Sequence, residues 1–436
     1  MSPVLLLYTV HTTNRLSYIL QWICAGQLRI PYRITNDVQE WVAYDGPRVN
    51  YSKTPLVADE LRIVPHPLLS EDDIKPQELA VQRWKHSTIL YYNQPGATIP
   101  FDIFTAAFYL ISRYEEYLPY TADKHGRYPQ QQSAAAQYSF LQEPVVDQWI
   151  FQLGKILEKK FGITLPGRQF VFKPTYDVDI AWKYQHKGTK RCWGGLAKDL
   201  LQLNWLSAVR RMTTAIGISK DPYDSFGWLD QLHERYDLHA VYFFLVSSGS
   251  KYDRNILPGL DAMRGLMYRI AQRYDTGLHP SYLSHQDDGI LRTERHLMFL
   301  NTGKETTGSR QHYIKFTLPE TYERLIAAGI TDDYSMGYAS GNGFRAGTSQ
   351  SFPWYNLKTG QVTDLRIHPF VFMDATSRFY NKHKPDEAWR EWEQLWHAVK
   401  KVNGTFISIA HNHLLGHAAE NKGWSRWYEK VLKSAQ

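Results

Sequence analysis

Apolar and polar positions along the chain fall into two regimes. Up to about residue 167, short apolar stretches at 5–10 and 32–34 mix with longer helical patterns. In 103–117, Phe104, Phe108, Ile111 and Tyr114 recur at the spacing that places them on one helix face. The segment 145–161 also reads as a helix, closed by Gly162, and Pro166-Gly167 form a turn just ahead of the apolar stretch 170–172. A boundary is expected there, dividing a smaller α+β domain over 1–167 from a second domain over 168–436.

Beyond the turn, strand patterns at 169–175, 240–246, 276–279, 309–312, 331–335, 365–370 and 405–410 alternate with helical patterns at 225–236, 257–274, 290–301, 319–328 and 387–402. Trp389, Trp392, Trp396 and Val399 mark the buried face of the last helix. Strands alternating with helices predict an α/β fold with a parallel sheet, closed into a (β/α) barrel of about seven strands. An open doubly wound sheet is the alternative.

Composition narrows the function classes. With 436 residues, 43% hydrophobic and 21% charged, the chain is neither disordered nor fibrous. The longest apolar run, 240–246, is seven residues, against the roughly 20 that a membrane-spanning helix needs. The run Val4–Leu7 has no basic residues before it and reads as a buried strand, so a cytoplasmic protein is expected. Cys24 and Cys192 are too few for a disulfide framework. A net charge of +7 is scattered apart from a modest cluster in 183–191, which argues against nucleic acid as a partner. The pattern leaves the oligomeric state open. Aromatics are abundant, and Phe352, Trp354, Tyr355 and Trp424 are placed either to stack on sugar rings or to pack beneath loops. The polar stretch Asp123-Lys124-His125-Gly126-Arg127 reads as a solvated turn.

In a barrel, chemistry gathers where strands end. The first strand of the second domain runs out in Asp177-Val178-Asp179, two carboxylates at one mouth, a costly like-charge pair unless a cation neutralises it. His279 ends another strand, with His285 and Asp287 close behind; Arg310 and His312 end the next; Arg345 and then His411, Asn412 and His413 come later. Singly, each reads equally as a helix cap, a turn or a hydrogen-bonded side chain. Their coincidence at strand ends favours one shared site.

At these residues the sequence resembles the polysaccharide deacetylases, the NodB-like carbohydrate esterases. The strings Tyr176-Asp177-Val178-Asp179, Gly277-Leu278-His279-Pro280-Ser281-Tyr282, Gly343-Phe344-Arg345-Ala346-Gly347-Thr348 and His411-Asn412 look like a bacterial branch in which an N-terminal domain of unknown function precedes the barrel. The resemblance implies a distorted (β/α) barrel and a metal-dependent hydrolase acting on an acetylated saccharide or glycan precursor. It implies Asp177 as general base, His411 as general acid, Arg310 or Arg345 as the arginine orienting the base, and Asp179 and His279 as ligands of a divalent ion, with Zn²⁺ the best match. The family's second histidine position, four residues after His279, is Leu283 here, so His285 and His312 are the candidates to complete the metal site. A catalytically silent barrel that binds carbohydrate or a protein is the second reading.

Overall fold

The computed structural model describes residues 3–436, apart from the side chains of residues 190 and 191. Strands β1 (Leu5–Thr9), β2 (Tyr32–Thr35) and β3 (Arg48–Tyr51) form a parallel sheet in the order β2-β1-β3. Central β1 is buried along its whole length, as its apolar run requires. A short hairpin, β4 (Gln82–Trp84) and β5 (Ser87–Ile89), follows.

The helix expected over 103–117 stops early. It spans Ile103–Ile111, capped by the Asp102 carboxylate on the Phe104 and Thr105 amides. All nine of its residues are buried rather than one face, because it lies between the first sheet and the rest of the core. Arg113 then takes a left-handed φ of 54° and Tyr114–Tyr117 form a 3₁₀ turn. That turn brings the Glu115 and Glu116 carboxylates onto the Arg113 guanidinium at 2.6 and 2.7 Å. The helix Val145–Phe161 ends at Gly162, whose φ of 63° suits a glycine cap.

Nine strands make the second sheet: β6 (Val171–Val178), β7 (Val241–Leu245), β8 (Asp275–His279), β9 (Gly308–Ser309), β10 (Asp332–Asp333), β11 (Phe352–Asn356), β12 (Gln361–Ile367), β13 (Phe372–Met373) and β14 (Thr405–His411). Their order is β11-β12-β10-β9-β8-β7-β6-β14-β13, parallel throughout except for the β11/β12 hairpin. The end of β12 lies beside β10 and β13 lies beside β14, so the four residues between them cross the opening. The His368 amide donates to Asp333 O on one side, and the Val371 amide donates to Ile407 O on the other. This is the α/β architecture of a distorted barrel, with more strands than the seven read from periodicity, since β11 and β13 carry no clean alternation.

One apolar core runs through both halves of the chain. The Tyr18 hydroxyl donates to Pro353 O and the Trp22 indole to Ser351 O, while the buried Asp147 carboxylate accepts from Thr348 and Ser349. Phe352, Trp354, Tyr355 and Trp424 are all buried, so packing is the role they take. Among the described residues, no helix is long and apolar enough to cross a membrane.

Candidate metal centre

Residues two apart on a strand point to the same face. At the end of β6 this aims Asp177 and Asp179 together into the barrel mouth, while Val178 between them is buried in the opposite direction. On the neighbouring strands, β14 ends in His411 directly beside Asp177, and β8 ends in His279. Past the short β9 the chain continues along β8, with Arg310 N donating to Leu278 O and His312 N to Pro280 O, which carries both side chains to the same mouth.

Three imidazoles surround the Asp179 carboxylate. His279 Nε2 lies 3.2 Å from its Oδ1, and His312 Nε2 and His411 Nε2 lie 3.8 and 3.6 Å from its Oδ2. Asp179 Oδ1 is buried and has no hydrogen-bond partner in this structure. Ligand atoms of Asp179, His279 and His312 all fall within 4.8 Å of one another. A buried carboxylate oxygen without a donor, facing two imidazole nitrogens, is the arrangement a divalent cation completes.

Each imidazole is held from behind through its Nδ1, which leaves Nε2 facing Asp179. His279 Nδ1 meets the Arg310 carbonyl, His312 Nδ1 meets Asp253 Oδ1 at 2.8 Å, and His411 Nδ1 meets Asp374 Oδ1 at 2.6 Å. Asp253 is fixed in turn by the Tyr282 amide, and Asp374 by the His411 amide. Partners of this kind set the tautomer and orientation of a metal-binding histidine. Arg310, fully buried, donates to Asp177 Oδ1 at 2.8 Å and to the Thr175 hydroxyl at 2.7 Å.

The electrostatics follow from this crowding. Burial alone would raise the Asp179 pKa, but His312, His279 and His411 hold it well below the usual carboxylate range. Burial likewise disfavours a charged His411, yet Asp374, Asp179 and Asp177 outweigh it and lift the imidazole to about 10. Burial and the neighbouring charged His411 push His413 down to about 4, outweighing Asp179 and Asp374, which act the other way.

Two residues named from the sequence lie elsewhere. His285 sits by Lys315, Arg324 and Thr321, where burial and the two cations push it down to about 4. It lies in the turn Ser284–Gln286, and the ligand atoms that gather with those of Asp179 and His279 are His312's. Arg345 is not beside Asp177: its guanidinium forks onto Glu116 at 2.8 and 2.5 Å and donates to Gly337 O. The arginine beside Asp177 is therefore Arg310. Leu283 is 52% exposed, away from the ligand atoms.

A cavity of about 500 Å³ opens over this cluster. Its wall includes His125 and Arg127, which corrects the reading of that loop as a solvated turn. Both are buried, with His125 Nδ1 against the Tyr282 hydroxyl at 3.2 Å and Arg127 donating to Tyr313 O at 2.6 Å. Asp253 and Asp374 were not read from the sequence. Asp374 had a signal, as an acid directly after the apolar run 370–373; Asp253, in a polar loop, had none.

Fold and site together define an α/β barrel with a candidate Asp/His/His metal site at its mouth. Residues 5–162 match a family model described as a family of unknown function, DUF7033. No curated protein matches. Among solved structures, the chain is similar to one assigned to the polysaccharide deacetylases from Mycobacterium smegmatis, at 12% identity, covering 61% of this chain and 85% of that one, with a TM-score of 0.38. It is similar to a polysaccharide deacetylase from Bacillus cereus at 12% identity, with 61% and 88% covered and a TM-score of 0.30. A CE4 family pseudoenzyme from Bacillus anthracis matches at 9% identity, with 61% of each chain covered and a TM-score of 0.31.

Proposed function

We propose that this protein is a metal-dependent hydrolase that removes an N- or O-acetyl group from a saccharide or glycan precursor. The observation that carries this reading is the convergence, at one mouth, of Asp179, His279 and His312 with the Asp177–Arg310 and His411–Asp374 pairs. One carboxylate and two imidazoles suit Zn²⁺, and they leave room for water and substrate. A cation held there supplies Lewis acidity toward the acetyl carbonyl and lowers the pKa of water.

The residues around it divide the proton traffic. Asp177, oriented by Arg310, takes the proton of the water that attacks the carbonyl carbon. His411, kept protonated by Asp374, gives its proton to the leaving nitrogen or oxygen as the acyl bond breaks, releasing acetate and a free amine or hydroxyl. A cavity of about 500 Å³ lies in the size range of sites for small ligands.

The test pairs metal analysis with acetate release from a panel of acetylated saccharides. Asp179→Ala and His279→Ala are expected to lose both metal and activity. Asp177→Asn is expected to keep the metal and lose activity by about two to four orders of magnitude. Protein that stays metal-free after incubation with divalent ions would overturn the proposal in favour of the silent barrel.

A further inference from the structure

Between β6 and β7 the chain leaves the barrel for a helical hairpin that the site does not use. Its two helices, Thr189–Leu201 and Trp205–Ala215, pack against each other. A helix on a globular protein normally turns its apolar face inward. Here that face points out: Leu201, Leu203 and Leu206 are 85%, 74% and 87% exposed, and Trp193, Trp205 and Val209 extend the same surface. Every residue from 200 to 206 is exposed, so the hairpin tip is an apolar knob in solvent.

The same stretch carries the charge excess of the whole chain. Residues 183–220 hold eight lysines and arginines and a single acid, Asp199, a net +7, and the complete chain is also +7. The one acid is already paired, with Arg211 Nε 2.8 Å from its carboxylate. Lys198 and Lys220 are exposed.

An apolar tip within a strongly cationic segment selects its occupant. A second copy would bring like charge against like charge. An anionic bilayer offers a hydrocarbon boundary and a negative surface at once, and tryptophan rings sit well at headgroup level. At 13 and 11 residues the helices are too short to cross it.

We propose that the hairpin 189–215 docks this protein on the surface of an anionic phospholipid bilayer, with the leucine tip among the lipid headgroups. The hairpin is rooted at the candidate metal site. Asp221, at its return, accepts from the Lys183, Tyr184 and Gln185 amides at 2.7, 2.8 and 3.0 Å. Asn412, adjacent to His411, donates to Ile180 O at 3.1 Å and Tyr223 O at 3.0 Å.

Co-sedimentation of the full chain with vesicles tests this without reference to catalysis. With phosphatidylcholine containing about a third phosphatidylglycerol the protein should pellet at low salt and less so at high salt, and with phosphatidylcholine alone it should stay in solution. The Leu201→Glu/Leu206→Glu variant should bind about tenfold more weakly or worse, with thermal midpoint and metal content unchanged. Lys198→Glu/Lys220→Glu should weaken binding and flatten its salt dependence. No binding by the full chain to anionic vesicles, or binding that neither variant weakens, overturns the proposal. So does self-association that the leucine variant abolishes while vesicles remain unbound.

Discussion

Each histidine of the cluster depends on a single acceptor behind it, and this is where single substitutions act most sharply. Asp253 holds His312 through Nδ1 and is itself buried. Asp253→Asn keeps the shape but weakens the acceptor, and metal affinity should fall about 10- to 100-fold, measured by competition with a chelator. Glu294 shows the opposite situation, a carboxyl taken into the interior without a cation. Burial lifts it from 4.5 to about 7, although the Ser281 amide bonds to it. The folded state thus holds this proton more tightly than the unfolded chain does. The associated stability is full below pH 4.5 and is lost as pH rises through about 7. Glu294→Gln should therefore be more stable than the parent at pH 8, on the order of 2 kcal/mol by urea denaturation, with the gap narrowing by pH 5.

The strands beneath the site are close neighbours at one point where only glycine fits. A Cβ on Gly277 would lie 2.5 Å from the Phe243 ring and 2.9 Å from Gly308 O, so β7, β8 and β9 approach each other through its missing side chain. His279 is two residues further along β8. Gly277→Ala should destabilise the protein by about 1–3 kcal/mol and, by shifting the end of β8, weaken metal binding as well. Thermal melts with and without added Zn²⁺ would show both effects. Elements with strong periodicity matched expectation closely: the helix expected at 387–402 is Pro385–Lys401, with Trp392, Trp396 and Val399 buried. The strands expected at 309–312 and 331–335 are present but shorter, as β9 and β10 with two residues each, because their length is set by the neighbours they pair with.

Across the molecule, the two halves are joined by a buried ion network. Glu116 accepts from both Arg345 and Arg113, and these cations hold its carboxyl below the usual range although burial alone would raise it. Arg113 also donates to the Arg345 carbonyl. Removing one member leaves the others charged and dry. Arg345→Ala should cost about 3–5 kcal/mol of stability. The Glu116→Ala/Arg345→Ala double variant should fall short of the sum of its singles in a denaturation cycle, since the second removal relieves the charge the first exposed.

Strand-end chemistry was readable from the chain alone because it is local. An apolar run followed by Asp177-Val178-Asp179, or ending in His279 or His411, shows its face and its terminus within a few residues, and the alternation of strand and helix predicts the barrel. Which of His285 or His312 joins Asp179, and which of Arg310 or Arg345 joins Asp177, is a question of strand order, and the sequence held both alternatives. The order β14-β6-β7-β8-β9 resolves it by bringing Arg310 and His312 beside β8 and leaving Arg345 to the N-terminal half. The same holds for His125 and Arg127, polar residues in a loop until long-range packing sets that loop over the cavity. Period and turn chemistry are properties of neighbours in the chain; contacts between segments a hundred residues apart exist only once the core has closed around them.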